Sequence, residues 1–470
     1  SLFDSPAEWY GKARQSVQRF TVSQFGKCCS RPGGETQLPR YVVHSYNFYL
    51  FPSTFGAMDP EFTLSASSIR FLSHYGFDYN KFLKDGIPYM NELQEKSLRQ
   101  YLSAGSWKVH SVLDRDSMKK AIDEVTCWIG GAEEEETMIL RDLSGFQRFE
   151  VQLVLRQALQ NVWTQPLGDN EVMVKKVSPQ HRRLLENSPR DSCRKELILA
   201  SARGFTNLFQ ALVKAKKPLV GHNMLMDLLH LHDKFYKPLP ESYEEFKRNI
   251  HSLFPVIIDT KTVTKSVWKN HPFPRVSNLL EVYEVLCSSD LNPTDTKCPV
   301  IVLASGCSRY AEKSSPHEAG YDAFLCGSGQ LRRNKASLSF VFLLSVTAEN
   351  DPSFPEYLGA LVKCQNQVHF TGGGVSSLNF SGADVPCRRP PLLVVRVRGC
   401  RGLSEWHIYH ELKTLCHFHV KRLSENQFIL QSNKFKHTRL ALRDYKDHPH
   451  LQISLYRHWR HSPNISCLLQ

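Results

Sequence analysis

The sequence predicts an α/β protein that ends in a smaller α+β module, and three observations lead there. Between residues 41 and 326, short apolar runs alternate with amphipathic stretches, as strands alternate with helices around a shared sheet. Residues 391–462 instead read strand, helix, strand, strand, helix, strand. A length of 470 residues exceeds one simple core and implies two to four domains.

The elements follow in order. Tyr41–Phe51 alternates and is rich in β-branched and aromatic residues, so it predicts a strand. Lys119–Trp128 has helical periodicity, and the acidic run Glu133–Glu136 after it reads as a solvated loop. Phe146–Ala158 predicts an amphipathic helix, followed by a basic stretch from Lys175 to Lys195. Residues 197–215 predict one long helix. Pro218–Val220 and Phe254–Ile258 read as short buried strands, with a turn into a helix at Met224 after the first. His317–Cys326 predicts a helix, and residues 349–390, richer in Pro, Gly and Ser, a linker. In the last stretch, strands are expected at 392–398, 417–423, 427–431 and 451–456, with helices at 403–415 and 435–445. This order is that of an RNA-recognition-motif fold, although its third strand carries Phe428 as its lone aromatic and its first strand is aliphatic. A basic protein-docking module fits as well as an RNA reader.

Composition bounds the setting. With 41% hydrophobic and 22% charged residues the chain is not disordered throughout. Its longest apolar run, Leu338–Ala348, is about half of what a membrane helix needs, so no transmembrane segment is expected in this chain. Residues Ser1–Tyr10 lack a signal-peptide layout. A net charge of +13 favours a polyanionic partner, and residues 391–461 alone carry 13 Lys and Arg against 5 Asp and Glu. The 13 cysteines are odd in number and form no Cys-x-x-Cys pair, which argues against structural zinc and a disulfide framework and suits a reducing compartment. The Asn-x-Ser sequons at Asn379 and Asn464 then read as chance.

Two clusters could carry chemistry. In GHNMLMD (Gly221–Asp227) a strand ends in a turn, and Asp227 falls in the first turn of the next helix. A carboxylate there can point over the carboxyl edge of a sheet, where α/β proteins bind ligands; it can equally serve only to complement the helix dipole. In HEAGYD (His317–Asp322), His and Asp five apart on a helix lie about 140° from each other and can border one cleft. A His offers a proton acceptor near neutral pH and an Asp a hard oxygen ligand for magnesium. Asp227, His230, His232 and Asp233 also look like a metal cluster, but residues two apart on a helix do not share a face. Asp259 follows a strand and is expected to cap the next helix.

These clusters, with QFG (Gln24–Gly26), NFYLFP (Asn47–Pro52), GIPYMNE (Gly86–Glu92) and FPVIIDTK (Phe254–Lys261), resemble the DEDDh family of 3′–5′ exonucleases in its poly(A)-specific ribonuclease branch, which includes trimmers of piRNA-precursor 3′ ends. The resemblance covers nearly the whole chain. It implies a ribonuclease-H-like nuclease domain over residues 1–109 and 179–348, interrupted by a small helical nucleic-acid-binding insertion at 110–178. It further implies the linker at 349–390 and a degenerate RNA-recognition-motif (RRM-like) module at 391–462. In that family four carboxylates hold two magnesium ions about 3.5–4 Å apart, and a His takes the proton of the attacking water. Carried over, Asp227 and Asp322 are the metal ligands and His317 is the general base. The implied partners are a single-stranded RNA 3′ end, a PIWI–piRNA complex and a Tudor-domain scaffold. The implied setting is cytoplasmic, with full-length members anchored at the ER or mitochondrial outer membrane by a C-terminal segment that this chain does not carry.

The chain departs from the family in three places. The family's first motif, Asp-x-Glu, should precede the QFG strand, but the 23 residues before Gln24 contain none, and Asp4 is a lone candidate. Asp59-Pro60-Glu61-Phe62-Thr63 mimics the motif, yet it follows a loop and lies after the NFYLFP strand, so it is not taken for it. With half the metal-binding charge missing, this chain is expected to be impaired, or to bind RNA without cutting, and a longer form to be active. Lys27–Leu38 reads as a replacement for a continuing strand, and Gly327–Glu349 diverges from the family's helix. The chain thus reads as incomplete at both ends.

Overall fold

The computed structural model describes residues 3–33, 40–55, 58–104, 107, 109, 112–143, 146–168, 170–270, 278–286, 300–312, 314–327, 361–372, 374–399, 402–415, 418–432 and 434–462. They form a mixed α/β structure in two compact units. The larger comprises Arg14–Pro240 and Ser252–Gln365; the smaller comprises Ser1–Ala13, Glu241–His251 and Asn366–Gln470.

After helix α1 (Pro6–Arg19), strands β1 (Gln24–Gly33) and β2 (Arg40–Pro52) pair antiparallel, in register from Gln24↔Tyr49 to Gly33↔Arg40. The strand therefore continues through Lys27–Gly33, where the sequence suggested its replacement: period-two pairing with β2 tolerates the two cysteines. Helices α2 (Ala66–His74) and α3 (Tyr79–Asp85) are started by Ser65 and Asp78, whose side chains accept the backbone N–H groups of Ser68 and Lys81. Strand β3 (Ile87–Tyr89) runs parallel to the end of β2, and helix α4 (Glu92–Ala104) follows.

The insertion is not purely helical. Helices α5 (Val112–Gly131) and α6 (Gln147–Ala158) accompany a three-stranded antiparallel sheet of β4 (Thr137–Leu140), β5 (Val162–Leu167) and β6 (Glu171–Lys176), ordered β4-β6-β5. Its core joins Met118, Val125, Val151, Leu155, Val162, Val172 and Val174. The strands hide in sequence because their outward positions mix apolar Ile139 and Leu167 with polar and basic residues, which blurs the alternation. The turn at Gly168, with φ of 74°, was the readable signal.

The long helix expected at 197–215 is two. After α7 (Pro179–Glu186), helix α8 (Pro189–Arg203) stops at Gly204 and α9 (Phe205–Ala215) restarts. Gly204 has φ of 47°, and a Cβ there would overlap the Pro88 carbonyl, so a glycine is required where β3 passes. Strand β7 (Leu219–Gly221), helix α10 (Leu225–Leu231) and a π-helical turn (His232–Tyr236) follow. Next come α11 (Tyr243–Leu253), β8 (Ile257–Asp259), α12 (Thr260–Asn270) and α13 (Leu279–Leu286). Strand β9 (Val300–Leu303), α14 (Arg309–Glu312) and α15 (Ala319–Gly327) complete the larger unit's main elements. β9 pairs parallel with the start of β2, and β7 with β8. Among the described residues no backbone ladder joins β7–β8 to the β1–β2 sheet. Rings of Phe25, Phe48, Tyr89, Phe205 and Phe235 pack between strands and helices. Most of Gly327–Glu349, and all of Leu338–Ala348, lie outside the described residues.

In the smaller unit the stretch expected as a linker carries a hairpin, β10 (Gln367–Gly372) with β11 (Val375–Asn379). Its burial explains the structure: Val368, Phe370, Leu378 and Phe380 are core residues despite the Gly- and Ser-rich text around them. Lys247 is buried and satisfied by the Gly382 carbonyl at 3.0 Å and Asp384 at 3.5 Å. Strands β12 (Leu393–Val397), β13 (His419–Ser424), β14 (Gln427–Gln431) and β15 (Leu451–Leu455) form an antiparallel sheet ordered β13-β14-β12-β15. Helices α16 (Glu405–Leu412) and α17 (Phe435–Asp444) cover one face, and α18 (His458–His461) follows. The core under them holds Leu393, Val395, Ile408, Leu412, Phe428, Leu430 and Ile453.

Candidate active site

Three stretches of the larger unit converge on the start of α15. Gln24 Oε1 accepts the Ala319 N–H at 3.2 Å, and Asn47 Oδ1 accepts the Gly320 N–H at 3.1 Å. Ser45 Oγ donates to the Gly320 carbonyl at 2.6 Å. Gln24 and Asn47 thus satisfy amides that a helix N-terminus leaves open, while Ser45 binds a carbonyl. Between them Gly26 lets β1 touch the helix, since a Cβ there would overlap the Ala319 carbonyl. The QFG and NFYLFP motifs are thus the seat of the helix that carries Asp322. Sequence reading quoted them without seeing this, because the contacts span almost 300 residues of separation.

His317 does not lie on α15 but in the turn before it, with φ of 66°. The helical 140° relation to Asp322 is replaced by a direct bond: the His317 backbone N–H donates to Asp322 Oδ1 at 3.3 Å. The imidazole is exposed and flanked by the rings of Phe71 at 5.0 Å and Tyr75 at 4.3 Å. Both rings are themselves open to solvent, 46% and 40% exposed, on the last turn and cap of α2. Their spacing of four, one helical turn apart, is the sequence signal for them.

Asp227 stands in the first turn of α10, where the sequence placed it. The turn before it bends through Asn223 at φ of 56°, a conformation Asn tolerates. Buried Asp259 clamps this turn by accepting the N–H groups of Asn223 at 2.8 Å, Met224 at 3.3 Å and Lys261 at 2.9 Å. It caps α12 as expected and fastens β7 to α10 as well.

The site is poor in positive charge. The Asp227 side chain is solvent-exposed at its edge, yet the surrounding protein, Asp259 and Asp322 push its carboxyl up to about 6. Partial burial also raises the Asp322 carboxyl, against the pull of the His317 N–H. Burial and the charges of Asp322, Asp227 and Asp259 push the Cys326 thiol up, so it stays neutral. His222 is lowered to about 4 by burial; its Nδ1 meets Thr260 Oγ1 at 2.9 Å, while Nε2 is buried without a hydrogen-bond partner. A pair of carboxylates that resist ionisation is what a cation would relieve.

The other candidates fall elsewhere. His230 Nδ1 donates to the Met226 carbonyl and His232 Nδ1 to the Lys237 carbonyl, both at 2.9 Å. Asp233 pairs with Lys234 at 2.9 Å and accepts the Leu239 N–H. Asp59 and Glu61 are exposed in the loop before α2. Asp4 bonds Lys12 at 2.6 Å. Among the described residues no group of three or more His, Cys, Asp or Glu could hold a metal ion. The residues present therefore fit a divalent cation only through the pair Asp227 and Asp322, half of a four-carboxylate set.

The family model described as CAF1 family ribonuclease matches residues 1–329. The human protein named poly(A)-specific ribonuclease PNLDC1 is 58% identical over 473 residues, spanning 100% of this chain and 90% of its own length. A Bombyx mori protein named pre-piRNA 3′-exonuclease trimmer is 28% identical, over 98% of this chain and 86% of its own. The Xenopus laevis poly(A)-specific ribonuclease PARN is 30% identical, over 69% and 54% respectively.

Proposed function

This chain belongs to the CAF1 family of ribonucleases, and from that premise we propose that its fold shortens single-stranded RNA from the 3′ end. One arrangement supports the reading most: Asp227 and Asp322 feel each other's charge, and Asp322 is bonded to the base candidate His317. In this proposal Asp227 and Asp322 hold magnesium, with a second ion depending on an Asp-x-Glu pair from a further strand. The ion supplies a lowered pKa for a water and offsets phosphate charge. His317 accepts the water's proton, and its backbone bond to Asp322 ties the turn that carries the base to the helix that carries the ligand. Phe71 and Tyr75 hold the imidazole edge-on and offer flat faces on which unpaired bases of the 3′ end stack.

With two of four carboxylates, these 470 residues bind RNA better than they cut it, and a form in which an Asp-x-Glu strand joins the site cuts efficiently. The name of the Bombyx mori relative supports pre-piRNA 3′ ends as the substrate. The PIWI–piRNA complex, the Tudor-domain scaffold and the cytoplasmic setting rest on the family resemblance alone. No described helix is long and apolar enough to cross a membrane. The basic module around β12–β15 is proposed as an RRM-like contributor to RNA binding. A second reading, an RNA-binding shell without catalysis, is favoured by the absence of a three-ligand cluster among the described residues.

Thermal melts at neutral pH in EDTA, magnesium or manganese test the site. The proposal expects stabilisation by the cations that disappears in both Asp227→Asn and Asp322→Asn. Equal stabilisation of the parent and both variants would refute these ligands. RNA binding without any cation effect would favour the shell.

A further inference from the structure

The sheet face of the C-terminal module away from α16 and α17 offers bases no large ring, and part of it is covered. It carries Val394, Arg396, Gln427, Ile429, Gln452 and Ser454, with His419 and Lys421 on the edge strand, and Val394 is only 3% exposed. The opposite side is different. Trp406 is 63% exposed on α16, and its indole stacks on the His410 imidazole at 4.9 Å and 27°. With Lys413 these residues occupy positions i, i+4 and i+7, so they form one exposed stripe. Beside it runs β13, the edge strand. The Arg422 N–H donates to Glu405 Oε1 at 2.6 Å, which fixes the edge against the start of α16. The Arg422 side chain is exposed and lies over the Phe428 ring at 5.7 Å, on the helix side of the sheet.

We infer that the stripe Trp406–His410–Lys413, with Arg422 on the neighbouring edge, is a single-stranded RNA platform. Two stacked π systems offer a continuous face to unpaired bases, and Lys413 and Arg422 add positive charge beside it, the Arg422 guanidinium being held by the Ser424 and Glu425 carbonyls. Charge selects this occupant over a protein helix: the module carries 13 basic against 5 acidic residues over positions 391–461. The inference is independent of the catalytic reading, because it needs neither Asp227, Asp322 nor a cation.

The test crosslinks the full chain, in EDTA, to single-stranded RNA bearing 4-thiouridine, and maps the adducts by mass spectrometry. Adducts are expected on the peptide containing Trp406. Trp406→Ala should reduce them at least about fivefold, and Trp406→Phe should keep most of them. Adducts in the larger unit should not change, and the circular-dichroism melt should match the parent because Trp406 is exposed. Adducts on the sheet face away from α16 and α17, none in the module, or no loss in Trp406→Ala would each overturn the inference. A duplex competitor that removes the Trp406 adduct as well as a single strand does would overturn it too.

Discussion

At the residue scale the site is defined by carboxylates held against their charge. The Asp227 carboxyl titrates near 6 in the folded protein against an ordinary 3.8, so the folded state binds the proton more tightly than the unfolded chain does. The penalty is absent below about 4, grows between about 4 and 6, and is complete above 6. Asp227→Asn should therefore raise thermal stability at pH 7.5 and change nothing at pH 3.5, as read in EDTA. Discounted for the solvent-exposed edge of the carboxylate, the gain should be on the order of 1 kcal/mol or less. An equal gain at both pH values would mean that charge is not the cause. Asp227, His317 and Asp322 were singled out in sequence by the family resemblance, since a first-turn Asp read alone fits a helix-dipole role as well. Phe71 and Tyr75 were not, since an aromatic ring on a helix is ordinarily core, and only the exposure of these two sets them apart.

At the element scale, the position of α15 relative to β1 and β2 decides where His317 and Asp322 stand. Gly26→Ala should push the helix off its seat, because the added methyl meets a backbone carbonyl rather than a flexible side chain. A loss of about 1–3 kcal/mol is expected, with cation stabilisation lost even where the fold survives. A variant that melts like the parent would show that the close approach does not matter. Asp259→Ala should strip three amides of their acceptor and cost about 3 kcal/mol, read by denaturant unfolding. Strong periodicity made β2, α6 and the six elements of the C-terminal module readable to within a few residues. What stayed hidden was non-local. The break at Gly204 depends on Pro88 across the fold, the three strands of the insertion are short and alternate imperfectly, and the β10–β11 hairpin sits among turn residues.

At the scale of the whole molecule, the larger unit holds three sheets that no described ladder joins, with α15 packed along β1 and also against β7. In the proposal, the carboxylates of Asp227 on α10 and Asp322 on α15 serve one site, to which a strand carrying Asp-x-Glu would add two more. The smaller unit brings its own basic sheet and helices. The most direct test uses 5′-labelled single-stranded RNA with an A-rich 3′ end, in magnesium or EDTA, with three proteins. These are the 470-residue chain, a longer form carrying an Asp-x-Glu strand, and that form with Asp322→Ala. The account predicts little or no shortening by the first, a magnesium-dependent ladder from the 3′ end by the second, and loss of that ladder in the third. Shortening by the 470-residue chain as fast as by the longer form, or a ladder that survives Asp322→Ala, would contradict it.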